Sequence, residues 1–291
     1  MDLVGDPATA SELASPYGVS PDIHSEDFIF QFHLDARKSD LRQAMEVYFM
    51  DGQRSAERLD ELITRFHPGG RRLSLLEFAS GYGCVSRHLK KLDKYDLVSC
   101  DIHKAAVDFL EQHLGVQGLL SAPNPDNLHA EPRFDVVFAL SFFSHIPHTT
   151  FYRWVRKLFD FVADGGILVF TTHGRVGRSQ VGNPALEPEG YWFAPVSEQK
   201  DLPVQDYGTM ITSPFYVFRA QEQDPLAKPL FFQEAFWWGT QDTYIVQKSA
   251  PAELLDLPAT TLESRVRAIE AEVLALRLAT AAFGAPASGS S

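Results

Sequence analysis

Leu73-Ser-Leu-Leu-Glu-Phe-Ala-Ser-Gly-Tyr-Gly-Cys-Val-Ser-Arg-His-Leu-Lys-Lys-Leu92 is followed, after a short polar break, by a second apolar run, Leu97-Val-Ser-Cys-Asp101. Ser74 to Phe78 reads as a short buried strand. The strand breaks at Gly81 and Gly83, and the chain restarts at once as an amphipathic helix with Val85, Leu89 and Leu92 on one stripe. The second run ends on an acid 24 residues after Glu77, about where a nucleotide-binding βαβ unit sets a carboxylate against a ribose. A glycine turn alone also serves packing, so the weight rests on the set of Glu77, Gly81, Gly83 and Asp101. The dehydrogenase fingerprint G-x-G-x-x-G would need a third glycine where Ser86 stands, so a dinucleotide pyrophosphate is disfavoured.

Glu77-Phe-Ala-Ser-Gly-Tyr-Gly83 resembles the E/D-x-G-x-G-x-G motif of class I S-adenosylmethionine-dependent methyltransferases, with Ala79 in place of the first glycine. Phe134-Asp-Val-Val-Phe-Ala-Leu140 is similar to the fourth strand of that family, and Asp164-Gly-Gly-Ile-Leu-Val-Phe-Thr-Thr172 to its turn and fifth strand. The resemblance spans about residues 45–248. It implies an α/β fold, a doubly wound and mostly parallel seven-stranded sheet of the Rossmann-like methyltransferase type with a terminal antiparallel hairpin. It also implies S-adenosyl-L-methionine as cofactor, with Asp101 as the ribose acid and Glu77 orienting the methionine end or the turn itself. Ala79, Ser80, Gly81, Gly83, Ile102, Ser121, Leu140 and Ser141 would complete the cofactor contacts. Tyr48 and Gly52, on helices ahead of the first strand, would approach the methionine end; core packing and a helix stop are the alternatives. The proline-locked Ser121-Ala-Pro-Asn-Pro-Asp126 would border the adenine or serve as rigid connection.

A chain of 291 residues with 45% apolar content can bury a substantial core, and one domain with appendages is expected. The net charge of −12 argues against a broad footprint for nucleic acid or anionic membrane. Only Cys84 and Cys100 occur, both in apolar segments, so neither a disulfide framework nor a metal site is expected. No stretch approaches the ~18 apolar residues of a membrane span, and the amino terminus lacks a basic-then-apolar leader, so a cytoplasmic location is expected.

Residues 1–21, rich in Ala, Ser and Pro without periodicity, read as a flexible arm. Residues 22–72 read as a helical cap containing two helices that break near Asp51-Gly52, and residues 73–248 as the methyltransferase domain. After the fourth strand comes Ser141-Phe-Phe-Ser-His-Ile-Pro147, then a helix over Thr149 to Val162. Asp135, at the far end of that strand, takes a structural role. Residues 174–212 read as an irregular insertion whose Tyr191-Trp-Phe193 and Asp206-Tyr-Gly208 argue for a substrate-covering segment. Ser213-Pro214 marks a helix start, and Leu230 to Trp237 with Thr243 to Val246 a final hairpin. In residues 249–291 an a/d seam of Leu262, Val266, Ile269, Val273 and Leu276 predicts an amphipathic helix ahead of a disordered end. It would join copies of the chain or a partner, dock on its own domain, or tether something further.

Methyl transfer from a sulfonium asks the protein mainly for alignment and exclusion of water. A hydroxyl acceptor also needs a base, and an imidazole with its ordinary pKa of about 6.5 suits that task. His145 is the first candidate and His173 the second; each has as alternative a histidine bonded to a backbone carbonyl or orienting a loop. Phe143, Tyr191, Trp192 and Tyr207 are the candidate acceptor contacts. Trp238 to Tyr244 loosely resembles the end of methyltransferases of bacterial polysaccharide pathways, which favours O-methylation of a sugar or glycan over a small aromatic or polyketide-like metabolite. An NAD-dependent oxidoreductase and a non-catalytic S-adenosylmethionine-binding assembly module are the readings from other classes.

Overall fold

Asp6 opens the first ordered helix. Its carboxylate accepts the Thr9 N–H at 3.0 Å and caps α1, Pro7–Ala14, which has Pro7 in its first turn. The computed structural model describes residues 3–67, 71–130, 133–197 and 199–250, so the 262–276 seam lies outside the described residues. Residues 3–21 are not the flexible arm expected. Ala10, Leu13 and Ala14 bury one stripe against Met45 and Phe49, and Leu3 bridges His24. Alanine is the strongest helix former, and the stripe becomes useful once a second helix covers it.

Asp27 caps α2, Phe28–Ala36, by accepting from Ile29 N and Phe30 N. Helix α3 runs unbroken from Leu41 to Phe66, correcting the expected pair of helices. Gly52 sits in its middle because a Cβ there would lie 2.2 Å from the Cys84 carbonyl oxygen. The missing side chain lets α3 close directly on the segment after the first strand.

Strands β1 (Leu73–Phe78), β2 (Tyr95–Asp101), β3 (Gln117–Leu120), β4 (Phe134–Ala139) and β5 (Val162–His173) pair in parallel in the order β3-β2-β1-β4-β5. Between them lie α4 (Ser86–Lys91), α5 (Lys104–Phe109) and α6 (His148–Asp160); α5 continues as a wider turn through Leu114. Next come α7 (Arg175–Gln180), β6 (Tyr191–Ala194), β7 (Thr209–Thr212) and α8 (Pro214–Gln221), the last capped by Ser213. The chain closes with the hairpin β8 (Ala227–Trp237) and β9 (Gln241–Lys248). Strand β9 runs antiparallel to β5 from Ile167↔Gln247 to His173↔Gln241, completing a seven-stranded path β3-β2-β1-β4-β5-β9-β8. The insertion adds two strands to it: β6 pairs with β7, and β7 meets the end of β5 at His173↔Ile211.

Both faces of the parallel strands are covered, which is why β4 is apolar without a break from Val136 to Ala139. Val137, Ala139, Leu168 and Phe170 pack with Phe151, Trp154 and Leu158 of α6 on one side. Val136, Phe138, Ile167 and Val169 pack with Ala56, Leu59 and Ile63 of α3 on the other. Asp135, at the opposite end of β4, binds the Arg71 guanidinium and the Ser74 N–H, so its role is structural. Cys84 and Cys100 are buried and free. Among the described residues no helix is long and apolar enough to cross a membrane.

Candidate active site at the carboxyl edge of the sheet

The turn after β1 places three left-handed residues within five positions: Ala79 at φ 57°, Gly81 at 55° and Gly83 at 82°. Gly83 is required for packing as well, since a Cβ would lie 2.4 Å from Leu114 Cδ1. At Gly81 a Cβ would meet nothing within 4 Å, so the backbone there borders open space. Ala79 takes the same conformation with a Cβ, which costs roughly 1–2 kcal/mol. The departure from the family motif thus leaves the turn's shape intact and loads it with strain.

Glu77 is buried beneath this turn, accepting from Ser86 Oγ at 2.5 Å and Ser99 Oγ at 3.0 Å. Burial pushes its carboxyl up to about 7, the Asp101 charge adds to the rise, and the two hydroxyls oppose it. Of its two expected roles, the contacts present are those that brace the turn against α4 and β2. Asp101 ends β2 with Oδ2 accepting the Gly81 N–H at 2.8 Å, so the acid and the turn face each other directly. Its Oδ1 accepts from His103, through the backbone N–H and Nδ1, both at 2.9 Å. His103 in turn places Nε2 2.8 Å from the Asp201 carboxylate of the insertion. The Asp101 hydrogen bond, with the charges of both acids, holds this imidazole above its ordinary value against the opposing effect of burial.

Ala79, Ser80, Gly81, Ile102, Ser121, Leu140 and Ser141 are each partly exposed, while Phe78, Cys100 and Ala139 just before them in the strands are buried. The sheet's carboxyl edge opens along these positions, where ligands sit in an open α/β sheet. Left-handed turn, open space at Gly81, adjacent acid and apolar Ile102 and Leu140 together fit a nucleoside with a charged amino-acid tail. Two residues expected there lie elsewhere. Tyr48 is fully buried, with its hydroxyl donating to Asp27 at 2.6 Å and its ring under Arg87, and Gly52 serves helix packing.

On the acceptor side, the loop after β4 is pinned to the segment entering β7. Gly208 N donates to the His145 carbonyl at 2.9 Å, and Met210 N to the Ser144 carbonyl at 2.8 Å. The His145 ring stacks on Tyr207 with centroids 4.5 Å apart, and its Nδ1 lies 2.8 Å from the Gly208 carbonyl oxygen. A carbonyl only accepts, so Nδ1 carries the proton and Nε2 is the basic nitrogen of the neutral ring. His173, at the end of β5, stands 6.3 Å from His145, ring to ring.

The aromatic candidates separate by strand parity. Gln241, His173, Ile211 and Trp192 lie directly opposite one another across four strands, so their side chains share one face. Tyr191 and Phe193 point to the other face, where Tyr191 stacks on His148 at 4.3 Å. Phe143 is fully buried between Phe151 and Phe170 and is core. Sequence reading missed His103, Asp201 and Gln241. An acid-x-His spacing after β2 was the available signal for His103; the other two had none. Among the described residues no group of His, Cys, Asp and Glu is placed to hold a metal ion.

Residues 76–168 match the methyltransferase-domain family. An S-adenosylmethionine-dependent methyltransferase from Clostridium acetobutylicum is similar in structure, with 14% identity, a TM-score of 0.53, and coverage of 76% of this chain and 97% of that one. The DhpI-SAM-HEP complex is similar at 18% identity and a TM-score of 0.50, covering 84% of this chain and all of that one. No curated protein gave a match. The fold is that of Rossmann-like methyltransferases. Residues 76–168 form a methyltransferase domain, within a fold shared with S-adenosylmethionine-dependent methyltransferases.

Proposed function

We propose that the enzyme is an O-methyltransferase whose acceptor is a hydroxyl of a sugar or glycan. The observation that carries this reading is the His145 Nδ1 bond to the Gly208 carbonyl, which leaves Nε2 as the ring nitrogen able to accept a proton. S-adenosylmethionine would supply an activated methyl whose C–S bond breaks to release a neutral thioether. Asp101 would accept from the ribose hydroxyls, and the Ala79–Gly83 turn would receive the nucleoside. His145 takes the acceptor's hydroxyl proton onto Nε2 as the new C–O bond forms. Trp192, half-buried on the face of His173 and Gln241, offers an apolar surface for the C–H side of a sugar ring. The segment bearing Tyr207 and Gly208 excludes water over the loop after β4. The protein is to be incubated with S-adenosylmethionine and a panel of saccharides, phenols and amines, and the methylated atom located by mass spectrometry and NMR. A saccharide ether is expected, with His145→Ala turning over about 10²-fold more slowly or worse at similar S-adenosylhomocysteine affinity. Transfer to nitrogen, or undiminished turnover in His145→Ala, refutes the reading.

A further inference from the structure

Gln241 is 3% exposed, opens β9, and joins three strand ends through one carboxamide. Thr171 Oγ1 donates to its Oε1 at 2.6 Å, and its Nε2 donates to Ser141 Oγ at 2.8 Å. The same nitrogen lies 3.2 Å from His173 Nε2. The Thr171 hydroxyl accepts the Ser141 N–H at 2.8 Å and passes its own proton to the amide oxygen. The amide nitrogen is thereby left to face Ser141 and His173. An amide nitrogen donates only, so the His173 nitrogen it meets is an acceptor and the ring proton sits on Nδ1.

Resting on the reading of this edge as a methyl-transfer site, we propose that Gln241 is a positioning residue that holds His173 as its Nδ1–H tautomer and Ser141 in place. Ser141 is held at φ 58°, a conformation a non-glycine residue keeps only when its surroundings impose it. The two imidazoles thus divide their work. His145 has its Nδ1–H on a backbone carbonyl and presents Nε2 as base, whereas His173 has Nε2 taken up by a donor. His173 then leaves the acceptor's proton to His145. The same carboxamide ties the antiparallel β9 to the ends of β4 and β5.

The test uses the full chain with ¹⁵N-labelled histidine, saturated with S-adenosylhomocysteine. Long-range ¹H–¹⁵N spectra read the tautomer of each ring, and His173→Gln assigns the His173 signals. Wild type is expected to show a protonated Nδ1 and a bare Nε2 at position 173. Gln241→Met is expected to give a tautomer mixture and turnover lower by on the order of 10²-fold, with cofactor Kd within about twofold. Gln241→Glu, whose carboxylate accepts, is expected to move the His173 proton to Nε2 and add an inflection to the pH–rate profile. An Nε2–H tautomer in wild type overturns the proposal, even if neither variant folds. So does an unchanged tautomer with unchanged turnover in Gln241→Met. The spectra need no acceptor, so failure of the sugar reading and failure of this one are told apart.

Discussion

At the scale of single residues, two acids lie close to the turn and differ in task. Asp101 touches Gly81 directly and sits where the edge opens, so Asp101→Ala is expected to abolish S-adenosylhomocysteine binding in calorimetric titration while circular dichroism stays native. Unchanged affinity would remove it from the ribose role. Glu77 is braced inside, with its carboxyl raised to about 7 from 4.5. A raised acid binds a proton on folding, so its favourable contribution is complete at pH below about 4.5 and is lost as pH climbs to about 7. The difference amounts to about 3 kcal/mol as an upper estimate. Glu77→Gln removes this titration. Relative to wild type it should therefore become progressively more stable between pH 5 and 8 in urea unfolding, and a pH-independent difference would contradict the burial argument. The two acids were legible because Glu77 stands at the end of an apolar run ahead of the glycine turn and Asp101 closes the next one. Gln241 was not, since a glutamine at a hairpin carries no signal until β9 lies against β5.

At the scale of elements, the contrast is between stretches whose partners are near in sequence and those whose partners are distant. Ser213 and Pro214 start α8 as read, because cap and first turn sit within four residues. Helix α3 was misread as two because Asp51-Gly52 is a sound local stop signal. Its continuity comes from close approach to Cys84, 32 residues on. Gly52→Ala places a methyl 2.2 Å from that carbonyl oxygen. A loss of about 1–3 kcal/mol in unfolding free energy is expected, with weaker S-adenosylhomocysteine binding because Cys84 directly follows the turn. Full stability in that variant would show that the two segments can part at no cost. Residues 191–194 and 209–212 were read as irregular because four-residue strands separated by a long loop show no sustained alternation.

At the scale of the whole molecule, one insertion reaches both halves of the site. Asp201 meets His103, which holds the Asp101 carboxylate, and Gly208 meets His145. The cation that links Asp101 to Asp201 is held above its ordinary pKa, so its ion pairs are fully present at pH below about 6.5 and are lost as pH rises through the raised value. Hydrogen exchange around residues 199–203, corrected for the intrinsic rate, is expected to quicken between pH 6 and 9 in wild type. Asp201→Asn should exchange fast at both; equal protection of the wild type at the two pH values would refute the link. The sequence alone determined the βαβ unit of residues 73–101 and the closing hairpin. These rest on apolar periodicity and turn chemistry, which act over a few residues. Tertiary structure alone decided the docking of α1, the face to which Trp192 points, and the partners of His103, His145 and Gln241. Each of these depends on contact between segments brought together only by the fold, and no local pattern encodes which distant side chain completes a hydrogen bond.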